Sequence, residues 1–126
     1  KIYGPKFLLQ AHKKKLLYYS LRKFAEQYLP ARVDHWKKIC NLEINQLRIK
    51  DVRSKWGSCT STRNINLNWQ LVLLDEALID YVLVHELMHL HEMNHSPAFW
   101  NVVASILPDH VARRKELQKE NLANWA

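Results

Sequence analysis

Glycine is nearly missing from this chain, with two residues in 126. So little backbone freedom argues against a flexible linker or a low-complexity tract, and most of the chain should be regular structure. Cysteine is equally scarce. Cys40 and Cys59 cannot staple a domain, and their spacing suggests no metal knuckle, so two reduced thiols are expected. No run of about 18 or more uncharged apolar residues occurs, which removes a membrane-spanning helix. The opening K-I-Y-G-P-K also lacks the basic-then-apolar layout of a signal peptide. A soluble, cytoplasmic protein with no membrane partner is expected, its oligomeric state open. An initiator methionine is absent too, so part of a natural N-terminus is expected to be missing. Acidic residues number 12 against 19 basic ones, a formal charge of +7, with basic clusters at 13–15, 22–23, 37–38 and 113–115. That balance favours acidic partners such as nucleic acid, although solvated helix faces are the simpler account of it.

What is present is apolar patterning. A hydrophobic content of 48% over 126 residues suits one domain, taken as residues 1–126, with one core. From about Ala11 to Leu29, Leu17, Leu21, Phe24, Ala25 and Tyr28 fall at helical spacing opposite lysines and arginines. Pro30 then suits the first turn of a second, shorter helix turning Val33, Trp36 and Ile39 inward. The period changes to two at Leu47, Ile49 and Val52 and again at Ile65 and Leu67, predicting a sheet of about three short strands. Thr60 to Asn64 reads as the turn between the later two. Asp75 is a plausible N-cap for a long helix reaching about Met93.

That helix is apolar almost all round and should run through the core. Within it, V-H-E-L-M-H-L-H-E-M-N-H at 84–95 places four histidines and two glutamates in twelve positions. His85 and His89 lie about 40° apart in azimuth and about 6 Å apart along the axis, so both imidazoles face one way and can meet one metal ion. Glu86 sits further round, displaced from the ligand position but able to reach a water there. Chance alone supplies such an H-E-x-x-H in roughly 2% of chains of this composition, so context must decide. Burying two imidazoles and a carboxylate on an apolar helix costs several kcal/mol unless each finds partners, and a metal supplies them.

Catalytic zinc needs a third protein ligand. His91 lies about 200° round from His89, on the opposite side, and Glu92 sits about 10 Å along the axis from His85. His95 follows Asn94, a residue that tolerates the left-handed turn ending a helix, and such a turn brings His95 back beneath the metal. Ser96-Pro97 then reads as the N-cap and first position of a new helix with Phe99, Val103 and Ile106 inward and Trp100 beside them. Pro108 closes it before a last helix through Val111, Leu117 and Leu122.

Four ordered stretches, V-R-S-K-W-G-S-C at 52–59, I-N-L-N-W at 65–69, Y-V-L-V-H-E-L-M-H-L at 81–90 and N-H-S-P-A-F-W at 94–100, resemble the YgjP-like family of predicted zinc metallopeptidases over roughly residues 18 to 122. The resemblance implies an α+β, zincin-like domain: a small antiparallel or mixed sheet on a core helix, with flanking helices. It also implies zinc on His85, His89 and His95, with Glu86 as the catalytic carboxylate. Family members usually carry a β-rich N-terminal segment, which is expected to be missing here. The histidine spacing is similar to that of SprT-like and WLM proteases, which act on DNA-bound proteins. Metzincins share the spacing, but Glu92 stands where they have glycine.

The expected chemistry is hydrolysis of a peptide or protein substrate. Three neutral imidazoles leave zinc its double charge, which acidifies water and polarises a carbonyl, while Glu86 takes the water proton and passes it to the leaving amine. The strand from Leu47 to Val52 is the candidate edge for an extended substrate. Glu92, Trp56, Asn68 and His110 are further candidates for supporting the ligands or touching substrate. Trp56 reads as an anchor, with Gly57 permitting a tight turn. His110, Arg113 and Arg114 could steady the oxyanion or be surface charge, and nothing around Cys59 suggests a depressed pKa. Two alternatives stand beside the peptidase: a zinc-dependent nucleotide phosphohydrolase, and a nucleic-acid-binding module with structural zinc, which a fourth ligand would favour.

Overall fold

A computed structural model describes residues 5–120 of the chain. Its first element is one uninterrupted helix, α1 (Pro5–Cys40), with Pro30 inside it. The expected break at Pro30 does not occur. Proline there cannot donate to the carbonyl four residues back, which ordinarily costs about 3 kcal/mol. Anchors on both sides offset it: Ala25 and Leu29 before the proline and Val33 and Trp36 after it are all buried along one stripe. The Arg32 side chain is also clamped to Asp80, its Nε and Nη2 each donating to the carboxylate at 2.8 Å. Breaking the helix would pull one set of anchors out of the core. The same stripe corrects the inward face: Leu17, Phe24 and Ile39 are 50–60% exposed, whereas Ala25 is buried and Leu21 and Tyr28 pack against the core from its margin. Asn41, at φ 54°, ends the helix, and Leu42 N–H donates back to the Lys37 carbonyl.

Three strands follow as expected: β1 (Gln46–Lys50), β2 (Gly57–Cys59) and β3 (Asn64–Asn68). The sheet is mixed, in the order β1-β3-β2, with β1 parallel and β2 antiparallel to β3. Ile65 and Leu67 of β3 are buried, so one face of the sheet is sealed by the core, while Asn64 and Asn66 alternate onto the other. The turn at 60–64 forms where the sequence placed it, with Thr60 Oγ1 accepting from Asn64 N–H and Arg63 at φ 68°. Asp51 pins the end of β1, accepting from Tyr18 Oη at 3.1 Å and Trp69 Nε1 at 3.0 Å.

After a short 3-10 segment (Trp69–Leu73) comes α2 (Glu76–Met88), whose residues Ile79 to Met88 are all buried. Asp75 precedes it, but its side chain caps nothing; its carbonyl accepts from Leu78 and Ile79. The helix ends at Met88 rather than Met93, because His89 serves as the C-cap and the chain leaves through a turn. Helix α3 (Pro97–Ile106) begins as expected, Ser96 accepting from Phe99 N–H and Pro97 at the first position. Helix α4 (His110–Leu117) closes the described chain with Leu117 buried and Val111 exposed; Leu122 lies outside the described residues. No described helix is long and apolar enough to cross a membrane.

Candidate metal centre

The last turn of α2 and the start of α3 meet at three histidines. His85 and His89 are buried and His95 is exposed, and one ligand nitrogen from each can be chosen so that all lie within 4.8 Å of one another. The Nε2 atoms of His85 and His95 are 3.2 Å apart. His89 Nδ1 lies 3.0 Å from the Glu92 carbonyl, to which it donates a hydrogen bond, leaving Nε2 with its lone pair directed away from that bond. The Glu92 contribution is thus made by its backbone. Asn94 does not adopt the left-handed conformation expected of it, Asn41 and Arg63 being the non-glycine residues with positive φ among those described. The reversal is made by the turn hydrogen bonds of His91 and Glu92 N–H to the Met88 carbonyl.

Rings enclose the cluster. Phe99 stacks on His89 with centroids 4.3 Å apart, and Trp100 stacks on His95 at 5.9 Å. Burial pushes the His85 imidazolium down to a pKa of about 2, with the other two histidines and Arg114 adding to the shift. Burial lowers His89 and His95 as well. Three converging, neutral imidazole nitrogens are the donor set that zinc takes, so the residues fit the ion.

Glu86 is 2% exposed and stands beside the cluster in the same cleft of about 380 Å³. The β2 edge of the sheet forms the opposite wall, through Gly57, Ser58 and Cys59. The expected cleft strand, Leu47 to Val52, is instead on the far side of β3. Gly57 does not serve a tight turn that needs glycine, since its φ is not positive. It is needed for close approach: a Cβ at 57 would lie 3.0 Å from Glu86 Cγ and 3.3 Å from Oε2.

The remaining candidates fall outside the cluster. Trp56 is core, with its carbonyl accepting from Asn68 N–H. Asn68 is fully buried and holds the loop before β2, its Nδ2 donating to the carbonyls of Val52 and Lys55. His110 stacks on Trp100, one ring removed from His95. Arg113 is engaged by Asp109 and the Ala77 carbonyl, whereas Arg114 lies over Trp100 at 5.2 Å and is felt at His85 and His95. His91 is exposed. The Cys59 thiol is pushed up to about 11 by burial and by Glu86, so it stays protonated. Sequence reasoning missed the Asp80 clamp, which accepts from Arg32 and, at 3.0 Å, from Trp36 Nε1. The signal was an aspartate among Leu78, Ile79, Tyr81 and Val82 on a helix with no solvent face.

A core helix bearing H-E-x-x-H beside a small mixed sheet, with a third histidine from the next turn, defines a zincin-like metallohydrolase. The chain belongs to the YgjP-like family, matching its metallopeptidase domain over residues 1–120. Two crystal structures share the fold. The metallopeptidase zymogen of Pyrococcus abyssi abylysin is 23% identical with a TM-score of 0.64, the match covering 77% of this chain and 98% of that one. The metallopeptidase zymogen of Methanocaldococcus jannaschii jannalysin is 24% identical with a TM-score of 0.61, covering 71% and 93%. No curated protein matches the chain.

Proposed function

We propose that the chain is a zinc-dependent peptidase that holds its ion on His85, His89 and His95 and uses Glu86 as general base. The observation that carries this reading is the position of Glu86: buried, seated against Gly57, in the cleft of the histidines yet outside the set that can converge on one ion. Zinc held there supplies a Lewis acid that polarises a carbonyl and acidifies water. The protein's own groups do the rest. The Glu92 carbonyl fixes the tautomer of His89. Glu86 accepts the proton of the attacking water and returns it to the leaving amine. The β2 edge receives an extended substrate. Of the three basic α4 residues weighed as oxyanion stabilisers, Arg114 is the one whose charge reaches the ligands. A cytoplasmic setting belongs to the same reading and fits the two free thiols.

The basic clusters of α1 do not bear on the reaction: the helix carries nine of the basic residues against two acidic ones and lends no side chain to the cleft. The test is a screen of the zinc-loaded chain against peptide libraries and nucleoside triphosphates, with Glu86→Gln alongside. Peptide cleavage that falls by about 10² to 10⁴ in Glu86→Gln, at unchanged zinc content, is the expected result. Nucleotide hydrolysis without peptide cleavage would replace the reading with the phosphohydrolase.

A further inference from the structure

A second pocket, of about 100 Å³, adjoins the metal cleft and shares Lys55, Gly57 and Ser58 with it. It opens on the outer side of the sheet, where Lys50 of β1 pairs with Asn68 of β3 and Asn66 lies two residues before Asn68 on the same face. Its polar atoms are unbalanced. The carbonyls of Val52 and Lys55 already accept both hydrogens of the Asn68 amide. Ser58 Oγ accepts from Asn66 Nδ2 at 3.2 Å, which leaves the hydroxyl hydrogen to donate. Lys50 and Lys55 line the pocket and enter none of the ion pairs of the described residues. No aspartate or glutamate lines it. The two lysine ammoniums and the Ser58 hydroxyl outweigh the side-chain acceptor left over, Asn66 Oδ1, so an anion balances the site.

We propose that this pocket is a substrate subsite that selects an acidic side chain, Asp or Glu, of the peptide bound along β2. The inference rests on the peptidase reading and adds the substrate class to it. An extended peptide joining the β2 edge sends alternate side chains to opposite faces of the sheet. One set enters the cleft of the histidines; the other set falls on the outer face, beside Ser58 and Lys55. The volume is that of roughly three waters at about 30 Å³ each, room for a short carboxylate side chain. Lys50 and Lys55 supply the charge, and Ser58 supplies a directed hydrogen bond.

The test uses the full zinc-loaded chain and peptide pairs that differ in Glu against Gln at one position, walked along a cleaved sequence. At one register position Glu should be favoured at least tenfold in kcat/KM, the scale of a charge-assisted hydrogen bond. The Lys50→Met, Lys55→Met double variant should lose that preference, while Lys115→Met, which removes a charge elsewhere on the surface, should keep it. Both pocket lysines are exposed, so their replacement leaves the core intact. Absence of any Glu preference, or one that survives the double variant, overturns the subsite while leaving the peptidase standing. A parallel measurement needs no turnover: anisotropy of a fluorescein-labelled alanine-based peptide with a central Glu, or its Gln counterpart, on zinc-loaded Glu86→Gln. Lysine-dependent discrimination there, with no cleavage by the parent chain, would keep the anion pocket and sink the peptidase reading. Failure of both discrimination and cleavage overturns the two together.

Discussion

Substituting Gly57→Ala tests the wall that seats Glu86. An added Cβ would lie 3.0 Å from Glu86 Cγ, 3.3 Å from Oε2 and 3.2 Å from the Asn66 carbonyl oxygen. Non-bonded carbon contacts rest near 3.5–4.0 Å, so the deficit at Glu86 Cγ is about 0.5–1 Å. The Asn66 carbonyl belongs to β3, at the centre of the sheet, and cannot yield without straining the ladder. The glutamate therefore gives way, by the few tenths of an ångström that bring the contact back to about 3.4 Å. Alanine meets no backbone penalty at 57, because φ there is not positive. A misplacement of about 1 Å can cost on the order of 10²-fold in rate, and overpacking costs about 1–3 kcal/mol of stability. The expected variant binds zinc at the parent stoichiometry, since no ligand is touched, and, its shift being a fraction of that ångström, loses about tenfold in kcat on whichever peptide the screen identifies. Zinc per chain, kcat and Tm together are the assay. Parental kcat in a folded, zinc-loaded Gly57→Ala protein would refute the account of how Glu86 is held.

Three other outcomes are expected. His95→Ala should lower zinc stoichiometry at least as far as His89→Ala does, whereas Glu92→Gln should keep it, because Glu92 acts through its carbonyl; full loading of His95→Ala would remove it from the ligand set. Asp80→Ala strands the Arg32 guanidinium and the Trp36 indole and should cost about 3–5 kcal/mol in urea unfolding, with a loss under 1 kcal/mol counting against the clamp. In the metal-free protein, the folded pKa of His85 lies near 2, below its unfolded value of 6.5, so the unfolded chain binds more protons below pH 6.5. Stability should be fully present above that pH and decline as pH falls, by about 1.4 kcal/mol per unit from this residue. His89 and His95 shift in the same direction. A stability profile flat from pH 7 to 5 would contradict the buried, neutral imidazole.

The convergence of the three histidines was legible in the sequence because it rests on local periodicity. His85 and His89 share a face by the 3.6-residue repeat, and Ser96-Pro97 marks a helix start that pins His95. What could not be read depends on partners distant along the chain. Pro30 stays helical because the residues on both sides of it find the core, and Arg32 and Trp36 find Asp80, 48 and 44 positions on. The exposure of Leu17 and Phe24 reflects an apolar stripe wider than the surface that α1 covers. Gly57 reads as a turn residue until Glu86 is placed against it, and Asn94 reads as a helix terminator although the helix has already ended at Met88. Which edge of the sheet meets the cleft follows from the order β1-β3-β2, and periodicity says nothing about strand order.

His89 is the residue on which α2 ends, and His95 immediately precedes the cap of α3. An ion shared by the two closes a loop of six residue steps and becomes a rivet between consecutive helices. Order in this turn should then be metal-dependent while the rest of the fold is not. Amide hydrogen exchange at residues 90–96 should accelerate on chelation, whereas β3, deep in the sheet, should keep its protection. Proteolytic nicking of the chelated protein should concentrate in the same seven-residue span, so that the protein's metal status could be read from its cleavage pattern before any substrate is known.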